Sequence, residues 1–348
     1  MFKKMVMSAV FLCLSMWGLS PVPAQAVELS GAGATFPYPL YSKMFYEYHK
    51  QTGDKVNYQS IGSGGGIRQL MARTVDFGAS DAFMSDEELS KAPAPIVHIP
   101  MALGAVVVTY NIPDNPTLKL TSDIVADIYL GKITKWDDQR IKNVNPGVDI
   151  PHLNITVVHR SDGSGTTFIF SNYLAKISRD WKAEVGQGKA LDWPVGIGGK
   201  GNEGVAGYVK QIPGAIGYVE LIYTLQNNMP AALVQNKSGN FINPSLESVS
   251  LAANIDLPDD TRIAITDTDA AQGYPISGFT WLLLYQEQSY GGRSAQQADE
   301  SAKLAWWMCH QGQSYNEALH YAPIPKAAVA KAERILKSVT YQGKPILR

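Results

Sequence analysis

Strand-like runs of β-branched and aromatic residues alternate along the chain with runs whose apolar positions recur every three or four residues. That alternation predicts an α/β fold. Lys55–Gln59 reads as a strand, followed by a glycine turn and a helix from about Ile67 to Val75. Phe77–Ser80 reads as another short strand. Ile155–Arg160 is β-rich and runs into a Gly/Ser turn, then into a helix through Phe168, Phe170 and Leu174. Ala302–Met308, stopping at Gly312, and Ala327–Lys337 read as closing helices. No internal repeat or low-complexity tract interrupts the pattern. Asn111–Pro116 is the expected exit from one lobe, and Asp267–Pro275 the expected return.

The first 26 residues stand outside this pattern. Lys3 and Lys4 form a basic start, Met5–Leu19 is apolar, and Ala24-Gln25-Ala26 supplies a small-x-small cleavage pattern after two prolines. This is the layout of a secretory signal peptide, and the apolar run is short for a membrane span. Leu12 precedes Cys13 where a lipoprotein would have a small residue, so no lipid is expected. The later apolar runs, Ala102–Tyr110 and Phe279–Tyr285, are strand-sized. The expectation is a secreted, soluble chain.

Removing the first 26 of 348 residues leaves 322, more than one core normally serves, so two domains are expected. Thirty Lys and Arg less the two leader lysines leaves 28, against 31 Asp and Glu. The balance argues against nucleic acid, which needs a basic face. Any anion site must therefore be built locally, without help from a general positive field. Cys309 alone outlasts the leader, so no internal disulfide can form. Its setting, Leu304-Ala305-Trp306-Trp307-Met308-Cys309, is an apolar helix face where cysteine acts as a small hydrophobe.

One motif occurs three times. Gly31-Ala32-Gly33-Ala34-Thr35-Phe36-Pro37 leads into a helix bearing Leu40, Met44, Phe45 and Tyr48. Gly62-Ser63-Gly64-Gly65-Gly66 and Asp162-Gly163-Ser164-Gly165-Thr166-Thr167 lead into two more. Each combines glycines, a hydroxyl and a helix start. Free N–H groups and the positive end of the helix dipole make such a start an anion site. Any one of these turns alone reads more readily as an ordinary N-cap than as a ligand site; it is the threefold recurrence that favours an anion.

Arg160 ends a strand just before the third turn, where its fork can give an oxyanion two charge-assisted hydrogen bonds. It can also pair with Asp162. Asp81 follows the strand Phe77–Ser80, at the strand end where ligand-facing residues of open α/β sheets collect. Otherwise it caps the run through Glu87 and Glu88. A carboxylate among anion donors makes sense when the ligand itself carries a proton, as hydrogen phosphate does and sulfate at neutral pH does not.

These residues resemble a known family. Gly-Ala-Gly-Ala-Thr-Phe-Pro (31–37), Tyr-Gln-Ser-Ile-Gly-Ser-Gly-Gly-Gly (58–66), Asp-Phe-Gly-Ala-Ser-Asp (76–81) and Arg-Ser-Asp-Gly-Ser-Gly-Thr (160–166) look like the phosphate-binding proteins of bacterial phosphate ABC transporters. The likeness runs from about Leu29 to the C-terminus and includes Tyr-Leu-Gly-Lys-Ile-Thr-Lys-Trp-Asp-Asp (129–138) and Gly-Gly-Lys-Gly-Asn-Glu-Gly (198–204). It implies a two-lobe periplasmic-binding-protein fold hinged on crossover strands, with lobe I made of 27–111 and 275–348 and lobe II of 112–274. It further implies that Thr35, the Phe36 N–H, Ser63, Asp81, Arg160, Ser164, the Gly165 N–H and Thr166 hold phosphate, with Asp162 steadying Arg160. The implied partners are the permease and ATPase of the transporter, and the implied state is a monomer without cofactor. His159 stands where relatives carry a second basic residue, and it bears on the charge of the rim.

Rival classes find less support. Gly196-Ile197-Gly198-Gly199-Lys200-Gly201 has dinucleotide-loop spacing, but Trp193-Pro194 stands where a buried strand should run, so a glycine-rich loop is expected. No G-x-S-x-G elbow surrounds Ser63 or Ser164, and the six histidines lack H-E-x-x-H spacing, which leaves a phosphatase without a nucleophile or a metal. Trp136, Trp181 and Trp193 could stack a sugar, but tryptophans more often pack. Another oxyanion, sulfate above all, is the remaining alternative.

Overall fold

The computed structural model describes residues 26–347, so the leader expected at 1–26 lies outside the described residues save for Ala26. Eight strands form the main sheet: β1 (Glu28–Gly33), β2 (Lys55–Ser60), β3 (Phe77–Ser80), β4 (Ile96–Tyr110), β5 (Thr156–Arg160), β6 (Ile197–Gly199), β7 (Ala215–Glu220) and β8 (Ser277–Tyr285). Their order is β2-β1-β3-β8-β4-β7-β5-β6.

The 15-residue strand β4 divides this sheet into halves. Its stretch from Ile96 to Ala105 pairs antiparallel with β8, and its stretch from Val106 to Tyr110 pairs antiparallel with β7. In the first half β1 runs parallel to both β2 and β3; in the second β5 runs parallel to β6 and β7. Parallel neighbours need crossover connections, and helices supply them. They include α1 (Tyr38–Thr52), α2 (Ser63–Met71), α3 (Gly165–Ile177) and α4 (Gly201–Gln211). α5 (Ala295–Cys309) packs on β1 and β4, and α6 (Lys326–Lys337) on β4. A small sheet, Phe241–Ile242, Leu233–Gln235 and Lys119–Leu120, lies beside the second half.

The cores follow from these layers. Val106, Val107 and Val108 on β4 and Leu282, Leu283 and Leu284 on β8 are buried, as expected of strands covered on both faces. Leu304, Ala305, Met308 and Cys309 of α5 are buried as well, and each leucine-sized side chain so placed stabilises the fold by roughly 1.5–3 kcal/mol. Cys309 touches Met101 Sδ at 3.8 Å, and burial pushes its thiol pKa up, so it packs as a hydrophobe. Trp136 and Trp181 are fully buried.

Some boundaries differ from those the pattern predicts. The second helix starts at Ser63 and ends at Met71, so its three glycines form its first turn. Gly31 and Gly33 belong to strand β1, not to a turn: a Cβ on Gly31 would meet the Phe77 ring at 2.2 Å. α5 begins seven residues before Ala302, at a capping box in which Ser294 and Gln297 satisfy each other's backbone N–H groups. The segment read as a glycine-rich loop contains a three-residue edge strand, β6, and then α4. It is a fourth strand–turn–helix unit.

Candidate functional site

Thr35 follows β1, Ser63 opens α2 after β2, and Asp81 follows β3, all at the carboxyl ends of parallel strands of the first half. Arg160 is the last residue of β5, and Ser164, Gly165 and Thr166 start α3, at the same end of the second half. All are buried. The three turns singled out in the sequence therefore converge on one point between the halves.

The halves are in contact there. Gly165 N–H donates to Ser63 Oγ at 3.0 Å, and Gly64 N–H donates to the Gly163 carbonyl at 2.8 Å. Gly165 has no room for a side chain: a Cβ would lie 2.5 Å from Ser63 Oγ and 2.6 Å from Asp81 Oδ2. Gly62 adopts φ of +82°, open to glycine, and a Cβ there would meet Asp162 Oδ2 at 2.2 Å. At the rim Lys189 donates to both carboxylate oxygens of Glu88, at 2.6 and 2.8 Å.

Arg160 is buried and carries its charge by pairing. Its Nε and Nη2 donate to Asp162 Oδ1 and Oδ2 at 2.7 and 2.6 Å, a bidentate fork that leaves Nη1 pointing elsewhere. Nη1 reaches Thr166 Oγ1 at 3.3 Å. Burial works against the charge on Asp162, but Arg160 and the Gly201 N–H more than offset it and hold the carboxyl below its usual range. Both roles weighed for Arg160, pairing with Asp162 and facing the turn, hold together.

Asp81 is 2% exposed. Burial raises its pKa to about 7, against the lowering effects of the Thr280 hydroxyl and the Arg160 charge. Thr280 donates to Oδ1 at 2.8 Å. The strand register explains that contact. Thr280 pairs with Ala102 and Trp281 with Pro100, so Met101 is an extra residue and β4 bulges there. A bulge re-aims the side chains beside it, and proline inside a strand is tolerated at such places. The alternative role of Asp81 as a helix cap is not what it does: Ser85 caps the helix Asp86–Ser90, in a capping box with Glu88.

Ser63 Oγ accepts from Gly165 N–H and from Asp81 N–H (3.2 Å), so only its proton remains to be given. Ser164 Oγ accepts the Thr167 N–H at 3.0 Å, an N-cap as well as a site neighbour. Behind the first turn, Tyr223 Oη donates to the Thr35 carbonyl and Tyr321 Oη to the Phe36 carbonyl, both at 2.6 Å. The Tyr223 bond fixes the peptide plane that carries the Phe36 N–H, and the Tyr321 bond fixes the next one, into Pro37.

Two participants escaped the sequence reading. Thr280 lies in an apolar strand 199 positions from Asp81, with no local signal. Asn202 opens α4 and is fully buried; its Nδ2 donates to Thr35 Oγ1 at 2.7 Å and to Thr166 Oγ1 at 3.1 Å. Its signal was the fourth glycine turn, 198–204. His159 stacks on Trp193, ring centroids 4.8 Å apart, with Nδ1 3.1 Å from the Arg160 carbonyl, and burial lowers its pKa, so it adds little positive charge to the rim.

A PBP superfamily domain matches residues 20–308. The phosphate-binding protein PstS of Xylella fastidiosa (strain Temecula1) is 46% identical over 315 residues, covering 89% of this chain and 85% of that one. PstS of Haemophilus influenzae is 44% identical over 312 residues, covering 88% and 92%. In fold, the chain is similar to a high affinity periplasmic phosphate-binding protein (PfluDING) bound with phosphate, with a TM-score of 0.70 at 20% identity over 88% of this chain and 93% of that one. At such identities over nearly the whole length of both chains, this protein belongs to the PstS family of phosphate-binding proteins, within the PBP superfamily.

Proposed function

We propose that the protein captures one inorganic phosphate ion between two lobes and delivers it to the permease and ATPase of a phosphate ABC transporter. Lobe I is 27–111 with 275–348, lobe II is 112–274, and the crossing of β4 with its neighbours is the hinge. The ion's ligands are the Thr35 hydroxyl, the Phe36 N–H, Ser63, Asp81, Arg160, Ser164, Thr166 and the Gly165 N–H, which must turn from Ser63 Oγ to the ion, with Asp162 supporting Arg160. The protein works in the periplasm, as a monomer, by binding alone; no cofactor and no covalent chemistry enter.

One observation carries this reading: a carboxylate, Asp81, is buried among hydroxyl, guanidinium and N–H donors. Those donors call for an oxyanion, and the carboxylate calls for an oxyanion with a proton of its own. Hydrogen phosphate meets both demands. Calorimetry of the mature protein, stripped of phosphate, is the test. Saturable heat is expected for inorganic phosphate, with none at matched concentration for sulfate or glycerol phosphate. Equal binding of sulfate would overturn the reading.

Closing over the ion should also compact the molecule. Small-angle scattering is expected to show a smaller radius of gyration with phosphate than without. Gly165→Ala should remove that change, because the added methyl would clash with Ser63 and Asp81 when the lobes meet. A variant that compacts like wild type would show that these lobes do not close through Gly165.

A further inference from the structure

Asn202 commits every polar group it has at the site, and each goes to another protein atom. The Glu220 N–H can only donate, so its 2.9 Å bond fixes the amide oxygen Oδ1 on that side. Nδ2 must then face the other way. There it donates to Thr35 Oγ1 at 2.7 Å and Thr166 Oγ1 at 3.1 Å, while the Asn202 backbone N–H reaches Thr35 Oγ1 at 3.1 Å. A hydroxyl oxygen has two acceptor positions and one proton. On Thr35 Oγ1 both acceptor positions are filled by Asn202. On Thr166 Oγ1 they are filled by Asn202 Nδ2 and by Arg160 Nη1 at 3.3 Å. Each hydroxyl is left with a proton to give and no capacity to accept.

We infer that Asn202 is a positioning residue that turns the Thr35 and Thr166 hydroxyls into obligate donors. Thr35 lies beyond β1 and Asn202 beyond β6, in opposite halves of the sheet, so the Thr35 hydroxyl is set this way only when the halves meet. The inference deepens the phosphate reading and rests on it. A ligand that offers lone pairs at both hydroxyls is matched. One that offers an O–H or N–H there, as a sugar or an amino group would, meets atoms that cannot accept it and loses its own hydrogen bonds to water. Closure thus selects for a bare oxyanion face, while Asp81 takes the single proton opposite. The donors are oriented by the protein beforehand, so the ion does not have to order them.

A double-mutant cycle read by calorimetry with inorganic phosphate tests this. Asn202→Ala is expected to weaken binding about tenfold or more in the otherwise native protein, and less than about twofold in a Thr35→Val/Thr166→Val background, where no hydroxyl is left to orient. Asn202→Asp keeps the size of the side chain and the bond from Glu220, but its second oxygen can only accept. It should draw both threonine protons to itself, and its loss should again be larger in the native background than in the valine one. If alanine at 202 prevents folding, the aspartate pair alone decides. Equal losses in the two backgrounds would overturn the orienting role. Wild-type protein that gives no heat with phosphate would sink the phosphate reading and this inference together, whereas tight wild-type binding with uncoupled losses would sink only the role of Asn202.

Discussion

Asp81→Asn is expected to remove most of the protein's preference for phosphate over sulfate. In the wild type that preference should reach roughly four orders of magnitude, the scale seen when the wrong ligand leaves a buried polar group unpaired. Ionised Asp81 can only accept, so it rewards the proton on phosphate and opposes the lone pairs of sulfate. Asparagine can turn its NH₂ toward the ion and donate. The variant should bind phosphate more weakly, sulfate more tightly, or both, while Thr35, Ser63, Arg160, Ser164 and Thr166 still hold an oxyanion. Burial places the Asp81 pKa at about 7, which adds a pH test. Because the folded pKa is raised, Asp81 gains a proton as the pH falls through 7, and in that form it too can donate to sulfate. The protonation of phosphate itself acts on both proteins, so wild-type discrimination should fall toward acid more steeply than that of the variant, by up to about tenfold per pH unit for the one extra proton. Competition titrations at pH 5.5 and 8.5 decide it. Discrimination in the variant at the wild-type level would mean that Asp81 does not sense the proton.

Arg160→Ala should cost on the order of 2–5 kcal/mol in phosphate binding, roughly thirty- to several-thousand-fold. Nη1 is lost from the site, and Asp162, 15% exposed in its side chain, loses the partner that neutralises it. An uncompensated carboxylate beside a bound anion adds repulsion to the missing attraction. Lys200→Ala is the control. Lys200 is exposed at the start of α4, and removing it should change affinity less than about threefold. Equal effects of the two substitutions would show the site to be wrongly placed. Lysine at 160 should rescue little, since an ammonium cannot make the fork that holds Asp162 and leave a third nitrogen for the turn.

Much of this site could be read from the chain because its parts are local. Strand, glycine turn, hydroxyl and helix fall within a dozen residues of one another, and each leaves its mark on the order of residues. Arg160 and Asp162 are two positions apart, so their pairing could be anticipated. Thr280 could not: it sits in a strand 199 positions further along the chain, beside the bulge at Met101 of β4, and only the sheet register brings it to Asp81. Trp193-Pro194 hides the fourth turn, because it stands where a buried strand would run, yet three residues of edge strand, Ile197–Gly199, suffice there. Glycine's poor helix propensity hid the true start of α2. The first turn of α2 is glycine because its neighbours leave no room: a Cβ on Gly64 would stand 3.0 Å from the Gly163 Cα, one on Gly65 2.8 Å from Ile61, and one on Gly66 2.4 Å from the Ala32 carbonyl oxygen.

The place of β8 between β3 and β4 bears on how the chain folds. β3 and β4 are neighbours in sequence but not in the sheet; the gap between them is filled by a strand that is made almost two hundred residues later. Until β8 arrives, nothing joins β3 to β4, and the first ten residues of β4 lack their strand partner. The pairing is of high contact order, because a long loop must close before the contacts reward it, and that slows folding. Such a topology postpones commitment: the molecule cannot close its first sheet until synthesis has passed Tyr285.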